Sequence, residues 1–189
     1  MQRLRQNQHG YSLIEAAIVL GIAGLIIGAV FAAWGAVNSQ NKLRRAQDEM
    51  TVIVNQIRST YASRSTIDSA SGSDFTNALV NSGLLPDTWV ENISGTNKLA
   101  NPYGGAAVVT PEATGSDSSV KDGMSIAFDN VGKGDCYKLV RNMLGAARTQ
   151  GLYKIDGADI AANNTFTDIK NSVCTSTTTT FYFKLKTGS

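Results

Sequence analysis

One feature of the sequence constrains the whole chain, an almost unbroken apolar run between His9 and Val37. Its only acidic or basic residue besides His9 is Glu15, close to the start, and the 22 residues from Ala16 to Val37 carry no charge. A helix rises about 1.5 Å per residue, so this run is long enough to cross a hydrocarbon core of roughly 30 Å. We therefore predict that the chain begins with a membrane-spanning helix.

The ten residues before the run, MQRLRQNQHG, contain two arginines and no acidic residue. This composition is typical of a short basic leader in front of a membrane helix. A secretory signal peptide cleaved near Ala33-Trp34-Gly35 is the alternative. It is disfavoured because its apolar core would exceed the usual length of about 7 to 15 residues and would contain an acidic residue.

Composition argues against several classes of function. The chain has 17 Lys and Arg against 15 Asp and Glu, and removing Arg3 and Arg5 leaves 15 against 15. We therefore expect no basic patch and no nucleic-acid binding. The single histidine, His9, lies in the leader, so Ser-His and Cys-His arrangements are excluded from the remainder of the chain. We predict no enzymatic activity, no cofactor and no metal site.

The two cysteines, Cys136 and Cys174, lie far from the apolar run and show no CxxC spacing. A metal site would need more nitrogen and sulfur ligands than these. A disulfide in an oxidising compartment is favoured over two separate buried thiols. The disulfide also sets the orientation, because it requires residues 38–189 to lie outside the cytoplasm.

The helix is predicted to continue beyond the apolar run, from Ser12 to about Ser63. No Pro or Gly occurs between Ala36 and Ser71, and apolar residues recur every three or four positions. The alternative is an anchor followed by an independent helix, with a break near Asn38-Ser39. The residues of the apolar stripe are Leu43, Ala46, Met50, Ile53, Ile57 and Tyr61.

The remaining sequence predicts an α+β domain in which an antiparallel sheet lies against the amphipathic half of the long helix. A loop rich in serine covers 65–74, and polar loops with a short strand are expected over 151–174. Asp74 and Asp135 are interpreted as N-caps of two further helices. One predicted helix covers 74–81 and is ended by Gly83, and the other covers 136–144. Three strands are predicted: one that ends at Val109, one over 124–128 and one over 176–186.

The amino-terminal residues Gly10-Tyr11-Ser12-Leu13-Ile14-Glu15, with the apolar run behind them, resemble the class III signal of type IV prepilins and related pseudopilins. Members share a basic leader that ends in Gly, an apolar or aromatic first mature residue, and Glu as the fifth mature residue. Two later pieces, SGLLPDTW and NPYGGAAVV, are similar to the head domain of type IVb pilins of the PilS-like branch.

The resemblance implies a processing pathway and an assembly. A prepilin peptidase would cleave between Gly10 and Tyr11 and methylate the new amino group of Tyr11. An inner-membrane platform protein and an ATPase would then assemble copies of the chain into a helical fibre outside the cell. The implied divisions are a leader over 1–10, a long helix over 11–63 with its fibre-core part over 11–37, and a head over 64–189.

Glu15 is costly in a membrane, on the order of 2.5 to 3.5 kcal/mol near a helix centre and less toward an end. The amino group that cleavage creates on Tyr11 is cationic. We therefore hypothesise that Glu15 of one subunit pairs with Tyr11 of another and sets the axial register of the fibre. The alternative is a Glu that lies in the headgroup layer without a specific role.

Gly21, Gly24 and Gly28 weaken the helix by roughly 0.8 to 1 kcal/mol each relative to Ala. Gly24 and Gly28 also have the spacing that lets membrane helices approach closely. We hypothesise that the helix unwinds locally over 21–28 when the subunit leaves the bilayer.

The function predicted from these features is that of the major structural subunit of a type IV pilus, serving adhesion, aggregation or conjugative mating. A minor pilin or a pseudopilin of type II secretion is the first alternative. A membrane-anchored binding protein that never polymerises is the second.

Overall fold

The structure, a computed structural model, describes residues 12–67, 72–93, 96–160 and 165–186. The described chain divides into two compact units, whose boundary in the sequence falls between Gln40 and Asn41. The elements are α1 (Leu13–Thr60), α2 (Gly72–Asn81), β1 (Val90–Ile93), β2 (Thr96–Leu99), β3 (Ala107–Glu112), β4 (Gly123–Phe128), α3 (Lys133–Gln150), β5 (Leu152–Ile155), β6 (Ala158–Asp159), α4 (Phe166–Ile169) and β7 (Thr179–Lys184).

Helix α1 is continuous over 48 residues, so the predicted long helix is confirmed and the alternative break near Asn38-Ser39 is wrong. Within the second unit, α1 buries one stripe of side chains spaced three and four residues apart, as an amphipathic helix does against a core. Tyr61, just after the helix, packs against the same core. The buried members of the stripe are Leu43, Ala46, Glu49, Met50, Ile53, Val54 and Ile57.

The stripe shares its core with a five-stranded antiparallel sheet, in the order β3-β4-β7-β5-β6. Strands β4 and β7 lie in the middle, where Met124 pairs with Phe183 and Ile126 with Phe181. All four of these side chains are fully buried, which the alternation of apolar residues along both strands requires. The predicted antiparallel sheet against the amphipathic half of the long helix is confirmed.

Helix α2 covers the outer edge of the sheet along β3. The amide of Val109 donates a hydrogen bond to the hydroxyl oxygen of Thr76 at 2.8 Å, and the Val109 carbonyl oxygen lies 3.1 Å from the same hydroxyl. The opposite edge is β6, which has only two residues. The covering helix α2 and the shortness of β6 both limit the exposed strand backbone that could pair with another chain.

Two predicted helix boundaries are wrong. Helix α2 begins at Gly72 and α3 at Lys133, so Asp74 and Asp135 lie in the first turns and are not N-caps. The helix dipole favours a carboxylate in the first turn as well as at the N-cap. The presence of an acidic residue therefore does not tell which of these two positions it occupies. Helix α3 also runs past Leu144 to Gln150, where Gly151 at φ 64° provides the left-handed residue that follows a helix end.

Several shorter elements go beyond what the sequence predicts. The hairpin formed by β1 and β2 is a separate two-stranded sheet that follows a 3-10 turn at Asp87–Trp89. The region predicted as loops with one strand contains β5, β6 and the single-turn helix α4. The predicted final strand is confirmed, but β7 covers only Thr179–Lys184.

Candidate functional site

The amino-terminal part of α1 is the most exposed apolar surface in the described chain. No residue in the most apolar stretch of α1 is buried, and the helix is long and apolar enough to cross a membrane. Large apolar side chains from Leu13 to Val37 are each more than half exposed. They are Leu13, Ile14, Ile18, Val19, Leu20, Ile22, Leu25, Ile26, Ile27, Val30, Phe31, Trp34 and Val37.

Glu15 lies in the first turn of α1, where the dipole of the helix favours an acidic side chain. Its backbone N–H donates to the carbonyl oxygen of Ser12 at 3.0 Å. The Ser12 hydroxyl oxygen accepts a hydrogen bond from the amide of Ile14 at 3.3 Å, so Ser12 caps the helix. Glu15 itself is exposed. Gly10 and Tyr11, the predicted cleavage and methylation positions, lie outside the described residues.

Gly21, Gly24 and Gly28 all lie within continuous α1. A Cβ atom added at any of the three would have no neighbour within 4 Å in the described chain. They therefore leave notches on the helix surface into which another chain could pack closely. Local unwinding over these residues stays a prediction.

The predicted disulfide is confirmed. Cys136 and Cys174 are bonded with their Cα atoms 5.8 Å apart, and the bond joins the first turn of α3 to the segment before β7. The amide of Cys174 donates to one carboxylate oxygen of Asp156 at 3.0 Å, and the amide of Thr180 donates to the other at 2.7 Å. Asp156 thereby aligns the segment that carries Cys174 with the beginning of β7.

Glu49 is a functional candidate that the predicted apolar stripe of α1 does not include. Its side chain is only 4% exposed, and its Oε2 has no hydrogen-bond partner among the described residues. Burial raises the pKa of Glu49 to about 8, although the nearby Arg45 guanidinium acts in the opposite direction. Spacing could have identified it, because Glu49 is three residues after Ala46 and four before Ile53, on the buried stripe.

Arg58 also lies outside the predicted apolar stripe, and its guanidinium bonds to the ends of two other elements. It donates to the carbonyl oxygens of Gln150 at 2.7 Å, Lys184 at 2.7 Å and Leu185 at 3.1 Å. Half-burial lowers the pKa of Arg58 from its ordinary value. Arg58 therefore ties α1 to the end of α3 and to the end of β7.

A pocket of about 570 Å³ lies beside Glu49, between α1 and the β1–β2 region. One wall is the predicted NPYGG turn, which Asn101 holds in place. The side-chain amide of Asn101 donates to the carbonyl oxygens of Ala106 and Asp129 at 2.9 and 2.7 Å. Its side-chain oxygen accepts from the amides of Tyr103 and Gly105 at 2.8 and 3.2 Å. Because all four bonds are made by one buried side chain, this wall has a fixed shape.

Two curated relatives match along most of the chain. Each is a major structural subunit of bundle-forming pilus, one from Escherichia coli O111:H- and one from Escherichia coli O127:H6 (strain E2348/69 / EPEC). Each is 27% identical over 168 residues, which cover 89% of this chain and 79% of the relative.

Two solved structures have the same fold. The type IVb pilin from Salmonella typhi matches with a TM-score of 0.54 and 23% identity, over 77% of this chain and 97% of that chain. TcpA, a type IV pilin from Vibrio cholerae El Tor biotype, matches with a TM-score of 0.51 and 17% identity, over 76% and 98%.

Family models cover both parts of the chain. The prokaryotic N-terminal methylation motif matches residues 5–31, a range that contains Gly10, Tyr11 and Glu15. The PilS N-terminal family matches residues 40–183, most of the chain. Together with the long helix, the antiparallel sheet and the disulfide, these matches show that the chain is a type IV prepilin of the PilS family, a structural protein and not an enzyme.

Proposed function

We propose that this prepilin is the major subunit of a type IV pilus and that its apolar helix surface forms the core of the fibre. The exposure of thirteen large apolar side chains between Leu13 and Val37 carries this proposal. Each gains about 1.5 to 3 kcal/mol when it is buried. Packing of these helices against one another would stabilise a fibre without covalent links between subunits.

The proposed pathway begins in the inner membrane, where the apolar run holds the precursor. A prepilin peptidase cleaves between Gly10 and Tyr11 and methylates Tyr11. A platform protein and an ATPase then move the subunit into an extracellular fibre. The chain then functions as a leader over 1–10, a helix over 11–63 with its fibre-core part over 11–37, and a head over 64–189.

Within the fibre, Glu15 pairs with the amino group of Tyr11 on a neighbouring subunit and sets the axial register. Support comes from the place of Glu15 in the first turn of α1, one turn from the new amino terminus. Cleavage leaves the Tyr11 amine in an apolar environment, where a carboxylate partner lowers the cost of both charges.

Mass spectrometry of filaments sheared from the cell surface tests the proposal. A major subunit should dominate the preparation and should begin at a methylated Tyr11, with Cys136 and Cys174 oxidised. A trace amount of the same processed chain would instead indicate a minor pilin or a pseudopilin. An unprocessed chain that keeps Arg3 and Arg5 and stays in the membrane would contradict the proposal and indicate an anchored protein that does not polymerise.

A further inference from the structure

The pocket beside Glu49 has the chemistry of a cation-binding site. Three carboxyl side chains and one guanidinium line it, and Trp89 supplies an aromatic surface. The face of a tryptophan ring attracts a lysine or arginine side chain, and the attraction strengthens when water is excluded. The carboxyl groups are those of Asp48, Glu49 and Glu91, and the guanidinium is that of Arg45.

Two buried polar groups in this region point to a missing partner. Glu49 Oε2 and the hydroxyl of Tyr103 are buried, and neither has a hydrogen-bond partner among the described residues. Tyr103 lies between Pro102 and Gly104, which both line the pocket. Leaving such groups without a partner is costly, and a buried carboxyl is one of the most costly. Glu49 lines the pocket, so a cationic group that enters it would stabilise the Glu49 carboxylate.

We propose that this pocket receives a lysine or arginine side chain from a second copy of this chain in the assembled fibre. The inference rests on the proposed function. A helical fibre of identical subunits is built from contacts in which one patch of a subunit meets a different patch of the next. The same chain offers exposed basic residues to fill an acidic pocket, including Arg44, Lys98, Arg141, Lys170 and Lys186.

The charges around Glu49 make docking dependent on protonation. Arg45 and Asp48 line the pocket beside it on α1, and Glu91 lines the pocket from β1. Tyr103 interacts electrostatically with both Glu49 and Asp135, the latter on α3. Burial raises the pKa of Glu49 to about 8, so the carboxyl of the free subunit holds its proton at neutral pH. An incoming cation favours the carboxylate, and docking then releases that proton. Fibre cohesion through this contact should therefore increase as the pH rises toward 8.

A photo-crosslinker tests which residue enters the pocket. Replacing Thr88, an exposed residue that lines the pocket, with p-benzoylphenylalanine places the probe at its entrance. After illumination of fibres and digestion, mass spectrometry should find an adduct to a peptide of a second copy at or next to a lysine or arginine. Adducts confined to the same subunit, or to a segment without a basic residue, would overturn the proposal.

A second measurement uses Glu49→Gln combined with Glu91→Gln, which keeps side-chain size and removes two carboxylates. Fibres of this variant should release subunits in detergent about tenfold faster than wild-type fibres at pH 7.5. Asp87→Asn is the matched control, because Asp87 is exposed next to Thr88 and does not line the pocket. It should stay within twofold of wild type.

The outcomes separate this inference from the proposed function. If the wild-type chain forms no fibres, the proposed function fails. If wild-type fibres form and the double variant dissociates at the wild-type rate, only the pocket proposal fails. Should the double variant fold poorly, judged by oxidation of Cys136 and Cys174 and by circular dichroism, the crosslink in the otherwise unchanged chain decides.

Discussion

The two parts of α1 share one continuous helix but use their apolar residues in different ways. From Leu13 to Gln40 the large apolar side chains occur all round the helix and are exposed, whereas from Asn41 to Thr60 they form one stripe that is buried. The buried stripe packs against the five-stranded sheet of the same chain. The first pattern has no such partner within the described residues, so it is suited to lipid before assembly and to other subunits afterwards.

The largest expected effect comes from the single acidic residue in the exposed part. Glu15→Ala should abolish surface fibres, because the charge pair that sets the register is lost while the apolar surface is unchanged. Membrane insertion should persist, since removal of a carboxylate lowers the cost of entering hydrocarbon. Counting filaments by electron microscopy and assaying the precursor in membrane fractions measures both effects. Asp87→Ala, which removes an exposed carboxylate elsewhere, is the control, and normal fibres from Glu15→Ala would remove the register role.

A pair of isoleucines tests the contrast between the two parts directly. Ile53 is fully buried in the core, whereas Ile26 is 59% exposed. Ile53→Ala should lower the free energy of unfolding by about 2 to 5 kcal/mol, because it removes buried methyl groups and leaves a cavity. Ile26→Ala should change it by less than about 0.5 kcal/mol. Urea unfolding of the detergent-solubilised full chain, followed by near-ultraviolet circular dichroism, gives both values, and equal losses would show that the two parts do not differ as described.

Two arginines extend the comparison to polar contacts. Arg58→Ala should cost about 2 kcal/mol of unfolding free energy, since three carbonyl oxygens lose a charged donor. Arg58→Lys should recover only part of this, because one ammonium group cannot reproduce the planar geometry of a guanidinium. Arg44 is exposed on α1, and Arg44→Ala should stay within about 0.5 kcal/mol of wild type. The same urea titration measures all three, and an Arg58→Ala value as small as that of Arg44→Ala would contradict the structural role.

The sequence predicts the long helix well because its two parts carry strong and different signals, continuous apolar residues in one and a three-four spacing in the other. The strands around Ile126 and Phe181 follow from alternation for the same reason. Arg58 and the pocket could not be predicted in this way. The carbonyl groups bound by Arg58 and the loop residues of the pocket lie at least 39 positions from their partners on α1. No local pattern records which of them a folded chain brings together.

Glu49 is intermediate between the elements that the sequence predicts and the contacts that it does not. Its spacing fits the buried stripe, whereas its charge indicates an exposed position. The hairpin of β1 and β2 was missed since its sequence, Val90-Glu-Asn-Ile93 and Thr96-Asn-Lys-Leu99, has too few apolar residues to stand out. The helix starts predicted at Asp74 and Cys136 lie two and three residues after the observed starts, because an acid is favourable at several first-turn positions.

The smallest of these effects is the one expected for a change of a single pH unit, through the buried carboxyl of Glu49, and its sign follows from the burial. Burial raises its pKa to about 8 from an ordinary value of 4.5, so the folded chain keeps a proton that the unfolded chain releases above about pH 4.5. The stabilising contribution of the protonated form is therefore complete below pH 4.5 and is lost as the pH rises through 8. The free energy of unfolding should fall across this interval by at most about 1.4 kcal/mol per pH unit.

Glu49→Gln should remove this dependence, because the amide is neutral at every pH, whereas Asp87→Asn should leave it intact. Urea unfolding of the solubilised chain between pH 5 and pH 9 measures the slope for each variant. A wild-type slope that Glu49→Gln does not change would mean that another group holds the proton. If the slope disappears in Glu49→Gln, the buried part of α1 holds a neutral carboxyl. The exposed part of α1 has a single acid, Glu15, and no core that could enclose it.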